Sequence, residues 1–266
     1  MRIRKINAPM ARVGKVKIGM KNQNGYPMSL DYFVFQTKYG VLNDFISEKY
    51  GDKPKEIDIT FFSNEDSMSC SHHYVLRDKG GNVVSKGDGY KFVTHQKGLT
   101  STEIDLNDEK FHLEDSEHYK KIVEQAKKLS IKSEDHLELV SKTYMKSLAE
   151  KYDGTTGSGK SFEAKWEEVM VLRFMIPDMP VAGYWELTSK GKASSINQVV
   201  SHFDAVRDSL GSVVGTPFQL SVSKHKSNNV GTAGRIYPVI ALNAVKASKH
   251  NIIPSLDSEN PPKIEQ

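Results

Sequence analysis

The sequence GTTGSGKS at residues 154–161 is the strongest chemical motif in the chain. It matches the phosphate-binding pattern G-x-x-x-x-G-K-[ST] at Gly154, Gly159, Lys160 and Ser161. In a working loop, backbone N–H groups and the lysine bind phosphates and the serine hydroxyl binds Mg²⁺. Such a loop joins a buried strand to the helix that it opens. Here a charged helical pattern precedes the motif, and only a short helix fits before the next strand. The context favours a linker, and we predict no nucleotide-binding site.

Cys70, His72 and His73 form a second candidate cluster, of the kind that binds a metal. On a strand, residues 70 and 72 share one face and residue 73 points to the other, so the three converge only at a bulge. Cys70 is the only cysteine, which excludes an internal disulfide and is typical of a reducing compartment. Structural roles are favoured for these residues. The sequence contains no other catalytic motif, so we predict no metal site, no cofactor and no enzymatic activity.

Basic residues are concentrated towards the two ends of the 266-residue chain. Residues 1–21 hold seven Lys and Arg and no acid, and residues 211–250 hold five and no acid. Residues 101–170 instead carry 16 acids against 11 lysines. Aromatic rings beside lysine or arginine can stack on bases while the cations contact phosphates. The candidate DNA-binding residues are Arg2, Arg4, Lys5, Arg12, Lys15, Lys17, Lys21, Tyr26, Trp185, Lys224, Lys226 and Arg235.

The residue periodicity predicts an α+β fold. Two strand-rich blocks with a few helices form one core, an acidic helical insertion interrupts them, and a disordered tail follows. The predicted segments are 1–106 (N-terminal block), 107–162 (helical insertion with a Gly/Ser linker), 163–250 (C-terminal block) and 251–266 (tail). Strands are predicted at 13–20, 28–37, 56–63, within 69–93, at 168–176, before 189, at 217–226 and at 235–245. Helices are predicted at 41–51, at two places within 107–153 and at 194–211.

Two parts of the sequence resemble a known family. GKVKIGMKNQNGYPMSLDYFVFQT lies in the first part and LRFMIPDMPVAGYWELTSKGKASSINQVV in the second, and the similarity covers about 11–93 and 169–245. These runs resemble the phage recombination directionality factor-like family, accessory proteins of large serine integrases. The resemblance implies a non-catalytic protein, in the cytoplasm of the bacterial host, that acts with a serine integrase on DNA. Many relatives carry a cysteine cluster between the blocks, whereas this chain retains only Cys70 nearby, so no zinc site is implied.

Two alternatives remain open at this stage. The basic, aromatic-bearing strands also suit a single-stranded DNA-binding protein of phage replication or recombination. The second alternative is a phosphate-loop nucleotide-binding protein. Expected partners are therefore single- or double-stranded DNA, a serine integrase or replication proteins, and homo-oligomerisation is compatible with the sequence. No apolar run approaches the roughly 20 residues that span a bilayer, so no membrane association is expected.

Overall fold

The computed structural model describes residues 10–95, 101–106, 124, 128, 136–155, 157–190, 195–226, 234 and 236–245. The chain is α+β, as predicted. The strands are β1 (Arg12–Lys21), β2 (Pro27–Thr37), β3 (Glu56–Thr60), β4 (Cys70–Arg77), β5 (Val83–Gly87), β6 (Lys91–Thr94), β7 (Thr102–Asp105), β8 (Gly154–Thr155), β9 (Ser161–Phe162), β10 (Trp166–Phe174), β11 (Tyr184–Ser189), β12 (Pro217–Lys226) and β13 (Ile236–Ala244). The described helices are α1 (Gly40–Tyr50), α2 (His136–Glu150) and α3 (Ser195–Leu210).

The chain divides into two compact units, and each unit is built from stretches that are not contiguous in the sequence. The first unit comprises Met1–Cys70, Leu172–Leu187 and Asn197–Gln266, and the second comprises Ser71–Val171 and Thr188–Ile196. Strands β5 to β7 and helix α2 belong to the same unit. None of the helices in the described ranges is long and apolar enough to cross a membrane.

Strand β1 lies between two partners in the first unit. It pairs antiparallel with β2, where Lys15 opposes Gln36, and parallel with β11, where Lys15 opposes Glu186. Between Gly14 and Lys17 the buried Gly14 and Val16 alternate with the exposed Lys15 and Lys17, so this part of β1 has one buried face and one charged face. The register with β2 shifts between Lys17 and Gly19, which marks a bulge towards the end of the pair.

A second sheet of the first unit has the order β13-β12-β3. Both neighbours of β12 are antiparallel, and β3 pairs only with its first half, Pro217 to Ser221. Phe61 joins this sheet to α3: its ring centroid lies 4.9 Å from that of Phe203 and 5.1 Å from that of Phe218. These edge contacts between fully buried rings anchor the apolar face of α3 in the core.

The second unit contains an antiparallel meander, β4-β5-β6-β7, against which α2 packs. The indole Nε1 of Trp166 donates a hydrogen bond to the carbonyl oxygen of Met145 in α2 at 2.7 Å. Helix α2 is therefore part of the core of this unit. Leu148 and Ala149 of α2 pack in one buried cluster with Leu76, Val84 and Ala164. Val140 packs in a second cluster with Phe92 and Leu106.

Candidate nucleic-acid interface

The two ends of the GTTGSGKS motif lie in paired β-strands. Strands β8 and β9 pair antiparallel, with Gly154 opposite Phe162 and Thr155 opposite Ser161. The backbone N–H of Ala164 donates to the carboxylate of Asp153 at 2.7 Å, which ties together the two chain segments that flank the paired strands. A phosphate loop requires a helix to start at its serine, but here the serine starts a strand. The motif matches the phosphate-loop sequence and lacks the phosphate-loop geometry.

Cys70 and His72 differ in environment. Cys70 is buried and His72 is exposed, at the start of β4. The pKa of the Cys70 thiol is raised to about 12, mainly by burial and also by the nearby carboxylates of Asp204 and Asp66, while Arg207 acts in the opposite direction. A thiol of this kind is protonated and unreactive at neutral pH. In the part of the chain that the structure describes, no group of three His, Cys, Asp or Glu residues is arranged to hold a metal.

Lys15 and Lys17 lie on the exposed face of β1. They flank the buried Val16, so both side chains leave the sheet on the same side. Neither has an ion-pair partner among the described residues. Arg12 differs, because its Nη1 lies 3.0 Å from the carboxylate of Glu186. Among the β1 residues whose side chains are described, Lys15 and Lys17 are therefore exposed cations without an ion pair, whereas Arg12 is paired.

Asp31 of β2 connects the second basic strand to the first sheet. Its Oδ2 lies 3.2 Å from Nζ of Lys224 in β12 and 3.5 Å from Nζ of Lys55. The hydrogen bond from Lys224 is the main reason that the pKa of the Asp31 carboxyl lies below its usual value. Because β2 also pairs with β1, both predicted basic strands adjoin β2 within the first unit. Lys226 at the end of β12 is exposed and has no ion-pair partner in the described ranges.

The two predicted aromatic residues have opposite environments. Tyr26 lies in the turn between β1 and β2 and is 68% exposed. Trp185 is fully buried, and its ring meets that of Phe35 edge-on at a centroid distance of 5.2 Å. The prediction that Trp185 stacks on a base is therefore wrong, because its indole is part of the core. Sequence reasoning missed Tyr237 of β13, which is 38% exposed beside the basic end of β12.

Four of the predicted basic residues lie outside the described residues: Arg2, Arg4, Lys5 and Arg235. Lys21 is described only as the last residue of β1. The structure thus brings Lys15, Lys17, Tyr26, Lys224 and Lys226 into one unit.

The comparison with protein families shows which family the chain belongs to. The model of the family described as recombination directionality factor-like matches residues 13–244. The chain belongs to the recombination directionality factor-like family. The match confirms the resemblance that was based on the residue runs of the two blocks. It also supports the interpretation that the chain is a phage protein of DNA recombination. No curated protein and no solved structure matches the chain significantly.

The family match includes both units of this directionality factor-like chain. The matched range contains Lys15 and Lys17 on β1, Lys224 and Lys226 on β12, and the whole of α2. The segment predicted to be an insertion thus lies within the matched range.

Proposed function

We propose that the chain is a non-catalytic accessory protein of a recombination reaction that a serine integrase carries out on DNA. The observation that carries this proposal is the family match over residues 13–244. A directionality factor binds the integrase–DNA complex and changes which attachment sites recombine. The strand exchange itself belongs to the integrase, so the accessory protein needs surfaces for its partners and no catalytic centre.

The charge distribution of the first unit supports a location beside DNA. Lys15 and Lys17 project from one face of β1, and Lys226 projects from the end of β12, each without an ion-pair partner among the described residues. Lysines on regular strands can contact phosphates without reading the base sequence. Such contacts would orient the protein on DNA that the integrase has already selected.

The test is a recombination assay with the serine integrase encoded in the same phage genome. Plasmids carrying the integration sites or the excision sites are incubated with integrase, with and without the protein. We expect the protein to inhibit the integration reaction and to permit the excision reaction. An unchanged product ratio at molar excess of the protein would refute the accessory role. Lys15→Glu with Lys17→Glu tests the basic face, with Lys146→Glu and Lys151→Glu, both exposed in the second unit, as the matched control.

A second candidate function is the coating of single-stranded DNA. The observation in its favour is Tyr26, whose exposed ring lies in the turn that joins the lysine-bearing β1 to β2. Exposed rings beside cations bind single strands by stacking, with strong salt dependence. Tight binding to oligo-dT, weakened by charge reversal at Lys15, Lys17, Lys224 and Lys226, would favour this function. Absence of binding at low salt would exclude it.

A further inference from the structure

Strands β12 and β13 continue beyond the sheet as a two-stranded ribbon. The pairing of β3 with β12 ends at Ser221, and the backbone N–H of Val222 makes one more hydrogen bond, to the carbonyl oxygen of Lys55 at 2.9 Å. From there β12 pairs with β13 alone. We call residues 223–226 of β12 and 236–238 of β13 the ribbon end. All four of its β12 residues are exposed, and among them Lys224 reaches Asp31 of β2.

The ribbon end combines basic and apolar side chains on paired positions. Lys226 opposes Ile236 and His225 opposes Tyr237, so each pair shares a face and the two pairs lie on opposite faces. Ile236 is 64% exposed and Tyr237 is 38% exposed. The ribbon end therefore presents a large aliphatic and an aromatic side chain to solvent, each paired across the strands with a lysine or a histidine.

Pro238 restricts what can cover the ribbon end. It lies in β13, an edge strand of its sheet, opposite Lys224. Proline has no N–H to donate, and its presence on an edge strand prevents a further strand from pairing there. The β13 edge of the ribbon end is therefore poorly suited to accept a strand from a second copy or another protein, whereas its two faces are open to contact.

The charge of this part of the chain favours a polyanion. Residues 211–250 contain no Asp or Glu. Lys226 has no ion-pair partner in the described part of the chain, and one carboxylate, Asp31, serves both Lys224 and Lys55, which leaves a net positive charge at that contact. The major groove of B-DNA is wide enough for a two-stranded β-ribbon.

We infer that the ribbon end inserts into the major groove of duplex DNA. This inference rests on the proposed function, because it assigns the DNA contact of the accessory protein. Lys226 contacts a phosphate at the edge of the groove. Ile236 packs against apolar base edges such as the thymine methyl group. Tyr237, on the other face, contacts the opposite wall of the groove together with His225. Binding through this element is weakly sequence-selective.

The experiment measures binding of the full chain to a short labelled duplex by fluorescence anisotropy over a range of salt concentrations. Lys226→Glu and Ile236→Ser change the ribbon end. Lys151→Glu makes the same charge reversal, and Val41→Ser the corresponding change from a β-branched aliphatic residue to serine, at exposed positions elsewhere. Losing one phosphate contact lowers affinity about eightfold at about 0.1 M salt and the salt slope by about 0.9. We expect this loss of affinity and of salt slope for Lys226→Glu. Ile236→Ser should bind DNA more weakly than the wild type with an unchanged salt slope. Both control variants should bind with wild-type affinity. Methyl green, a major-groove ligand, should displace the protein, and netropsin, a minor-groove ligand, should not.

The inference would be overturned by equal affinity of the ribbon-end variants and the wild type, by displacement by netropsin alone, or by no duplex binding of the wild type. A preference for oligo-dT over the duplex would overturn it too and favour the single-strand function. Circular dichroism of each variant establishes that a loss of binding is not a loss of fold. If the wild type has no effect in the recombination assay, only the accessory role is refuted. DNA binding by the ribbon end is tested separately, because the anisotropy assay contains no integrase.

Discussion

Gly14 of β1 lies directly against the indole ring of Trp185 in β11. A Cβ atom at Gly14 would be 2.3 Å from Cζ3 of Trp185 and 2.7 Å from the carbonyl oxygen of Gln36. Both distances are far below van der Waals contact, and the second involves backbone, which cannot move aside cheaply. The absence of a side chain at Gly14 therefore allows β1 to approach the tryptophan and bury it completely.

Gly14→Ala should destabilise the protein by about 1–3 kcal/mol, the usual cost of overpacking a filled core. Gly40→Ala is the matched control, because Gly40 is the first residue of α1 and no atom lies within 4 Å of its added Cβ. Urea denaturation followed by circular dichroism gives the free energy of unfolding of both variants. Equal stability of the two would show that the space around Gly14 is not limiting.

Leu148→Ala should destabilise the second unit by about 2–5 kcal/mol, because it removes a buried aliphatic side chain that packs on Leu76 and Val84. Lys146→Ala, on the exposed side of the same helix, is the control. Hydrogen exchange of the amides of β5 and β6 is the measurement. If α2 were only an appended segment, Leu148→Ala would leave the protection of these amides at the level of the control.

The sequence predicted the elements whose boundaries follow from local chemistry. Helices α1 and α3 end where expected, at Gly51 and Gly211, which have φ values of 73° and 71°. The strands β1, β2 and β12 follow from alternation of apolar and polar residues. Strand β7 was missed because its four residues, TEID, are too few to show a period.

What the sequence could not predict depends on contacts between distant residues. A tryptophan beside basic residues has the same sequence signature whether it faces solvent or the core, and the contact with Gly14 decides the matter for Trp185. The acidic composition around α2 suggested a separate insertion, but a few apolar residues on one face were enough to make it part of a core. For the candidate interface, alternation along β1 identified Lys15 and Lys17 correctly as exposed. The ion pair of Lys224 with Asp31 joins residues far apart in sequence and left no signal.

The stability of the protein should fall as the pH rises above about 9, and Cys70 should contribute to that fall. In the unfolded chain the thiol loses its proton near its ordinary pKa of 9.0, whereas burial raises the pKa in the folded protein to about 12. Deprotonation therefore favours the unfolded state between these values, by up to about 1.4 kcal/mol per pH unit. Cys70→Ala removes this contribution, so its free energy of unfolding should fall less steeply between pH 9 and 11, and parallel profiles would contradict the prediction. Tyr50, whose pKa burial also raises to about 12, titrates in both proteins and cancels in the difference.

Asp31→Asn should strengthen binding to duplex DNA. The carboxylate of Asp31 neutralises part of the charge of Lys224 and Lys55, and the amide keeps the shape of the side chain while releasing both lysines for phosphates. We expect affinity to rise by up to about eightfold for each released lysine at about 0.1 M salt, with a steeper salt dependence. Asp178→Asn is the matched control, because Asp178 pairs with Lys49 at 3.4 Å and asparagine tolerates its φ of 64°. An affinity and a salt slope equal to those of the control would show that Lys224 and Lys55 do not contact DNA, and the duplex would then be bound without this part of the first unit.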